Sequence, residues 1–94
     1  MNIQQLRYVV AIANSGTFRE AAEKMYVSQP SLSISVRDLE KDLGFKIFRR
    51  TSSGTFLTRR GMEFYEKAQE LVKGFDIFQN QYANPEEEKD EFSI

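Results

Sequence analysis

A mainly α-helical fold, with three short helices, a two-stranded hairpin and one long helix, is predicted by three features of the 94-residue sequence. Apolar residues recur every three or four positions in separate stretches, and capping residues or glycines mark where several of these begin and end. The one stretch that reads as strand, 45–58, turns about Thr51-Ser52-Ser53-Gly54.

Asn2 with Gln5 forms a capping-box pair for a first helix predicted from Ile3 to Asn14, whose apolar stripe is Ile3, Leu6, Val10 and Ala13. Ser15-Gly16 ends it. Thr17 and Glu20 repeat the capping pattern and open a short helix to Met25, with Phe18, Ala21, Ala22 and Met25 facing inward. A tight turn over 25–27 leads to a third helix between its N-cap Ser28 and the stop at Gly44, with Leu32, Val36, Leu39 and Leu43 on the buried side. Pro30 near its start sacrifices no hydrogen bond. The opposite side carries Pro30, Ser33, Ile34, Arg37 and Lys41, with Gln29 and Ser31 flanking the first turn. Short helix, tight turn, longer helix is the outline of a helix-turn-helix.

Phe45–Arg50 and Thr55–Thr58 read as two strands forming a wing, so the expected architecture is a winged helix-turn-helix. Alternation places Phe45 and Ile47 on one face and Phe48 on the other. From Arg59 to Ala83 no proline intervenes, and Phe64, Ala68, Leu71, Phe75, Phe78 and Tyr82 recur at heptad spacing. That seam predicts a long dimerisation or linker helix. Met62, Tyr65 and Val72 beside it are expected to rest on the domain, while the far end seeks a partner. The expected organisation is therefore a winged helix-turn-helix domain over 1–58, a linker or dimerisation helix over 59–84 and an acidic hinge or tail over 85–94.

Composition narrows the chemistry. There is no cysteine and no histidine, which removes disulfides, thiolate metal sites, the usual general base and the commonest metal ligand. Ser28, Ser31, Ser33 and Ser35 have no histidine to activate them, and Gly54 and Gly61 fit no phosphate-loop fingerprint. No enzyme activity, metal or cofactor is expected of this stretch. No apolar run approaches a membrane span and no signal peptide is visible, so a cytoplasmic protein with no membrane partner is the simplest expectation.

The net charge of −1 conceals a bipolar chain: residues 1–75 hold 12 Lys/Arg against 8 Asp/Glu, and residues 76–94 hold 1 against 6. Lys46, Arg49, Arg50, Arg59 and Arg60 fall in one stretch without an acid. This basic wing is expected to supply salt-sensitive attraction to phosphate, because Asp38, Glu40 and Asp42 offset Arg37 and Lys41 on the third helix. On that helix Gln29, Ser33 and Arg37 can meet base edges or phosphates, and Ile34 suits a thymine methyl. Thr17 opens a helix whose backbone amides can hold a phosphate, although capping explains it equally well. The alternative is a helical protein-interaction module whose long helix is the functional surface.

Thr17-Phe18 with Ala21-Ala22, SQPSLS at 28–33, Arg37 with Leu39-Glu40, Leu43-Gly44, Ile47-Phe48 with Arg50, and Leu57-Thr58 with Gly61 together resemble the LysR-type transcriptional regulators. The resemblance spans residues 1 to about 65 in one collinear series. It implies a bacterial, double-stranded DNA-binding homodimer whose linker helices pair antiparallel, with tetramers in full-length proteins. It also implies a separate effector domain that binds a small-molecule coinducer, so the 94 residues are expected to be a DNA-binding fragment. Carried over by position, groove contacts fall on Gln29, Pro30, Ser33 and Ile34, backbone contacts on Thr17, Ser31 and Arg37, and wing contacts on Arg50, Thr51, Ser52 and Ser53. Ser28 and Arg49 adjoin these sets. The chain departs from the family's usual residues at Ile34, often polar or basic, at Ser35, often Gln, and at Ser53, often Arg.

Overall fold

The structure, a computed structural model, describes residues 1–83; the acidic segment 85–94 lies outside the described residues. Its elements are α1 (Ile3–Ser15), α2 (Phe18–Met25), α3 (Gln29–Leu43), β1 (Phe48–Thr51), β2 (Gly54–Leu57) and α4 (Arg59–Ala83).

Helix ends follow local chemistry closely. Asn2 Oδ1 accepts from Gln5 N–H at 2.8 Å and Gln5 Oε1 accepts from Asn2 N–H at 3.1 Å, completing the box that starts α1. The buried Gln5 amide also donates to the Ser35 carbonyl, tying α1 to α3. At α2 only half of the box forms: Thr17 Oγ1 accepts from Glu20 N–H at 3.1 Å. Gly16 and Gly44 close α1 and α3 in the left-handed conformation, at φ 86° and 82°, where a side chain is disfavoured. Tyr26 adopts the same conformation at φ 58° without being glycine, and there Val27 N–H reaches back to the Ala22 carbonyl.

The core gathers Val9, Ile12, Phe18, Leu32, Leu39 and Ile47, with Ala21 and Ala22 allowing α2 close to its neighbours. The stripe of α3 is buried as expected, with Leu43 half-buried at its end. The α1 stripe is rotated. Val9 and Ile12 face the core, whereas Ile3 and Val10 are half-buried, and Ile3 and Leu6 line a groove against α4. Because α1 touches both the core and α4, it has two apolar sides, and a single stripe describes only one of them.

The hairpin pairs Phe48 with Leu57 and Thr51 with Gly54, antiparallel. The first strand starts later than the sequence suggests, and its second ends one residue earlier. Residues 45–47 leave α3 in a bend, where the Glu40 carboxylate accepts from both Ile47 N–H (2.7 Å) and Phe48 N–H (3.2 Å). That bend breaks the alternation, so Ile47 and Phe48 are both buried. Thr58 is taken by α4: its hydroxyl accepts from Gly61 N–H and donates to the Lys46 carbonyl.

α4 crosses directly above this bend. A Cβ at Gly61 would overlap the Ile47 carbonyl, so the crossing requires glycine. Further along, Tyr65 donates to Asn14 Oδ1, and Arg7 grips Asp76 through two hydrogen bonds of 2.6 and 3.3 Å. The expected seam is divided by this packing. Ala68 is only 2% exposed within one protomer and Phe64 is half-buried, its ring edge-on to Phe45. Ala68 is spent on holding α4 to its own domain, while Phe64 keeps part of its surface open. Met62, placed on the inner row by spacing, is exposed.

Candidate nucleic-acid interface

The first turns of α3 form a prominent exposed edge. Ser28 Oγ accepts from Ser31 N–H at 3.2 Å and donates to Ser31 Oγ at 2.8 Å, so these serines serve first as a cap. Gln29, Pro30, Ile34 and Arg37 are exposed, Ile34 by 52%, and Ser33 is half-buried. An isoleucine this open on a structured helix leaves apolar area for a contact from outside.

Beside this edge stands the hairpin. Thr51 Oγ1 donates to the Gly54 carbonyl and accepts from Ser53 N–H, so the Ser52-Ser53 tip is braced by its own strand residue. Thr55 N–H donates to the Gly16 carbonyl at 3.0 Å, fastening the second strand to the α1–α2 turn.

The five basic residues of this region have different fates. Arg50 lies with its guanidinium carbon 3.6 Å from the centre of the Phe18 ring and donates to Ser33 Oγ at 2.8 Å. Arg60 stacks on Phe45 at 4.2 Å, and Lys46 lies 3.7 Å from the Glu40 carboxylate. Arg49 and Arg59 have no ion-pair or ring partner among the described residues, and neither does Arg37. Of the five, only Lys46 is paired with a carboxylate among the described residues; a ring does not neutralise a guanidinium, so Arg49, Arg50, Arg59 and Arg60 all keep their positive charge, as does Arg37 on α3.

Arg50 divides two clefts. One, of about 310 Å³, is bounded by Ser33, Arg37, Glu40, Lys46 and Phe48; the other, of about 390 Å³, by Thr17, Arg19, Gln29, Ser52 and Ser53. The expected site residues therefore converge from three places: Thr17 at the cap of α2, the 28–37 edge formed by the cap and first turns of α3, and 49–53 from the hairpin. Phe18 joins this site beyond the residues the sequence marks as contacts. In the sequence it belongs to the inner face of α2 and to the Thr17-Phe18 pair, and its ring is held edge-on by Phe48 at 5.7 Å and covered by Arg50. Among the described residues no group of acidic side chains could hold a metal, and no helix is long and apolar enough to cross a membrane.

An exposed second helix of a helix-turn-helix, flanked by a short antiparallel hairpin with unpaired arginines, defines the winged helix-turn-helix class. A family profile described as "Bacterial regulatory helix-turn-helix protein, lysR family" matches residues 3–62, and the chain belongs to that family. It is 44% identical over 72 residues to the HTH-type transcriptional regulator TfdT of Cupriavidus pinatubonensis, covering 77% of this chain and 32% of that relative. The fold superposes on the BenM DNA-binding domain in complex with catB site 1 DNA (TM-score 0.84, 32% identity, 88% of this chain and 93% of that one). It also matches the CbnR DNA-binding domain–DNA complex (TM-score 0.77, 33% identity, 88% and 98%).

Proposed function

We propose that this chain binds double-stranded DNA sequence-specifically as the DNA-binding part of a dimeric bacterial transcription regulator, and that it catalyses no reaction. The observation that carries this reading is the open 28–37 edge of α3 beside a hairpin whose Arg49, like Arg59 just beyond it, lacks a carboxylate partner among the described residues. Support also comes from the two solved neighbours crystallised on DNA.

In this reading α3 enters the major groove, where Gln29 meets a base edge and Ile34 a thymine methyl. Arg37, Arg49 and Arg59 neutralise phosphates, and Thr17 with Ser52 and Ser53 lines the flanking backbone. Affinity for a selected duplex should drop by orders of magnitude between about 50 and 200 mM salt, measured by fluorescence anisotropy. Failure of the dimer to bind any duplex at low salt would overturn the DNA reading in favour of a protein-interaction module. Ile34→Ala should change preference at one base pair by about 1 kcal/mol. Equal weakening on every sequence refutes the methyl contact.

The dimer uses Leu71, Phe75, Phe78 and Tyr82. Their spacing of four, three and four is symmetric about the midpoint between Asp76 and Ile77, so an antiparallel mate sets Leu71 opposite Tyr82 and Phe75 opposite Phe78. A parallel mate would bring its own domain against the one already covering Phe64 and Ala68. Gly74 fits this arrangement. It weakens a helix interior by roughly 1 kcal/mol relative to alanine, and a Cβ there would meet nothing in its own protomer. It opens onto the apolar groove formed with Ile3, Leu6, Leu71 and Phe75, which leaves room for the partner's aromatic rings.

The 72 matched residues span 32% of TfdT, and we assign residues 1–58 to the DNA-binding domain, 59–84 to the linker helix and 85–94 to a hinge. A coinducer-binding effector domain, tetramer assembly and a cytoplasmic setting belong to the same proposal.

A further inference from the structure

We propose that Arg50 is a positioning residue that fixes the hydrogen-bond polarity of Ser33, forcing its hydroxyl to donate to the DNA and thereby discriminating against cytosine at the base facing it. The inference rests on the DNA-binding reading above and goes beyond it by naming what is read and how.

A guanidinium has five donors and no acceptor, so the 2.8 Å bond between Arg50 Nη2 and Ser33 Oγ has only one possible direction. Ser33 accepts, and its proton must point elsewhere. In a helix interior a serine hydroxyl commonly donates to the carbonyl four residues back, but Ser33 makes no such bond among the described residues. The proton remains unused on the exposed side of α3, between Gln29 and Arg37.

Arg50 cannot readily abandon this task for a phosphate. Its guanidinium covers the Phe18 ring, which Phe48 holds edge-on from the core, so turning outward would forfeit both the stack and the hydrogen bond. The hairpin supplies the leverage: Thr51 pairs with Gly54 at its end, and Thr55, opposite Arg50, is fastened to Gly16. Arg50 therefore reaches α2 and α3 from a strand whose position is already fixed.

The major-groove edges respond differently to a committed donor. Guanine offers N7 and O6, thymine offers O4 and adenine offers N7, whereas cytosine presents only its N4 amino donor. A serine free to rotate can meet either kind of group. A serine locked as a donor cannot satisfy cytosine.

Selection of sites from random duplexes, followed by binding titrations with each base at the selected positions, tests this with the 94-residue chain. The unaltered chain should disfavour cytosine at one position by about fivefold, the worth of one neutral hydrogen bond. Ser33→Ala and Arg50→Met should each abolish that discrimination at the same position, and the double variant should lose nothing further. Methionine keeps an unbranched stem over Phe18, and a thermal melt followed by circular dichroism checks that the fold persists. Arg50→Lys, still a donor without an acceptor, should retain the preference. Arg50→Gln, which can accept from the hydroxyl, should relax it, and it stands in for Arg50→Met should that variant fail to fold. Uniform weakening by Arg50→Met with cytosine still disfavoured reduces Arg50 to a prop for the hairpin and overturns the proposal. So does a changed preference at a different position from Ser33→Ala. Failure of the unaltered chain to select any sequence instead sinks the DNA-binding reading itself.

Discussion

Between Arg59 and Ala68, α4 turns Gly61, Phe64 and Ala68 into its own domain, whereas from Leu71 to Ala83 the same heptad spacing leaves Leu71, Phe78 and Tyr82 about 60% exposed. Nothing in the periodicity distinguishes the two halves. They differ in what lies opposite: the α3–hairpin bend, Phe45 and the end of α1 lie against the first, while the second meets the start of α1. An amphipathic pattern specifies a face to be buried, and the surrounding chain decides whether burial is internal or awaits another molecule.

Substitutions in the two halves should separate cleanly. The largest effect is expected of Gly61→Ala, because the new methyl meets backbone that cannot move aside; loss of about 3 kcal/mol of folding stability in urea titrations is the expected outcome. An unchanged midpoint would mean that the first half is not anchored as described. Introducing Asp at both Phe75 and Phe78 should weaken dimers roughly 100-fold in sedimentation experiments while the domain remains folded. Persistent dimers would place the interface away from the second half.

Gly74→Ala sharpens the contrast at smaller amplitude. It should stabilise the helix by about 0.5–1 kcal/mol and yet loosen the dimer, since the methyl occupies space kept for the partner. A dimer tightened by this change would show that no side chain sits over Gly74.

The smallest effect concerns the Arg7–Asp76 clamp. The hydrogen bonds from Arg7, aided by its charge and opposed by desolvation, hold the Asp76 carboxyl below its ordinary 3.8. A lowered pKa in the folded state contributes stability above the ordinary value, and that contribution fades as pH falls through the lower folded value. Asp76→Asn should therefore flatten a slight acid-side decline in melting temperature and leave neutral-pH stability almost unchanged, because the pair is solvent-screened. A steep change near neutrality would contradict this assignment.

Much of the fold was legible because its signals are local. Asn2-Gln5, Ser28 and Gly44 each settle a helix end through neighbours within a few residues. The winged helix-turn-helix order followed from them, and α4 runs over Arg59–Ala83 as its heptad spacing and lack of proline predict. The α1 stripe departs from its simple periodicity because that helix serves two apolar neighbours, and the first strand starts later than its composition suggests because Glu40 captures two amides from across the bend. In the interface, the open edge of α3 was readable from its wheel. Arg50 was readable as a basic wing residue but its anchorage was not, since both groups that hold it, Phe18 and Ser33, are remote in sequence and neither bears a charge.

Glu40 has a mechanical consequence. By binding the two amides at which the chain leaves α3 for β1, its single carboxylate turns a hinge into a weld, and Arg50 adds a strut between strand and helix. The helix and the hairpin then behave as the fixed jaws of a caliper. A duplex engaging both must bring its grooves to their separation, so the work of adaptation falls on the DNA and depends on how easily each sequence bends. On the DNA-binding reading proposed above, such a tool would respond to stiffness as well as spelling, and positions that no side chain touches would acquire a preference.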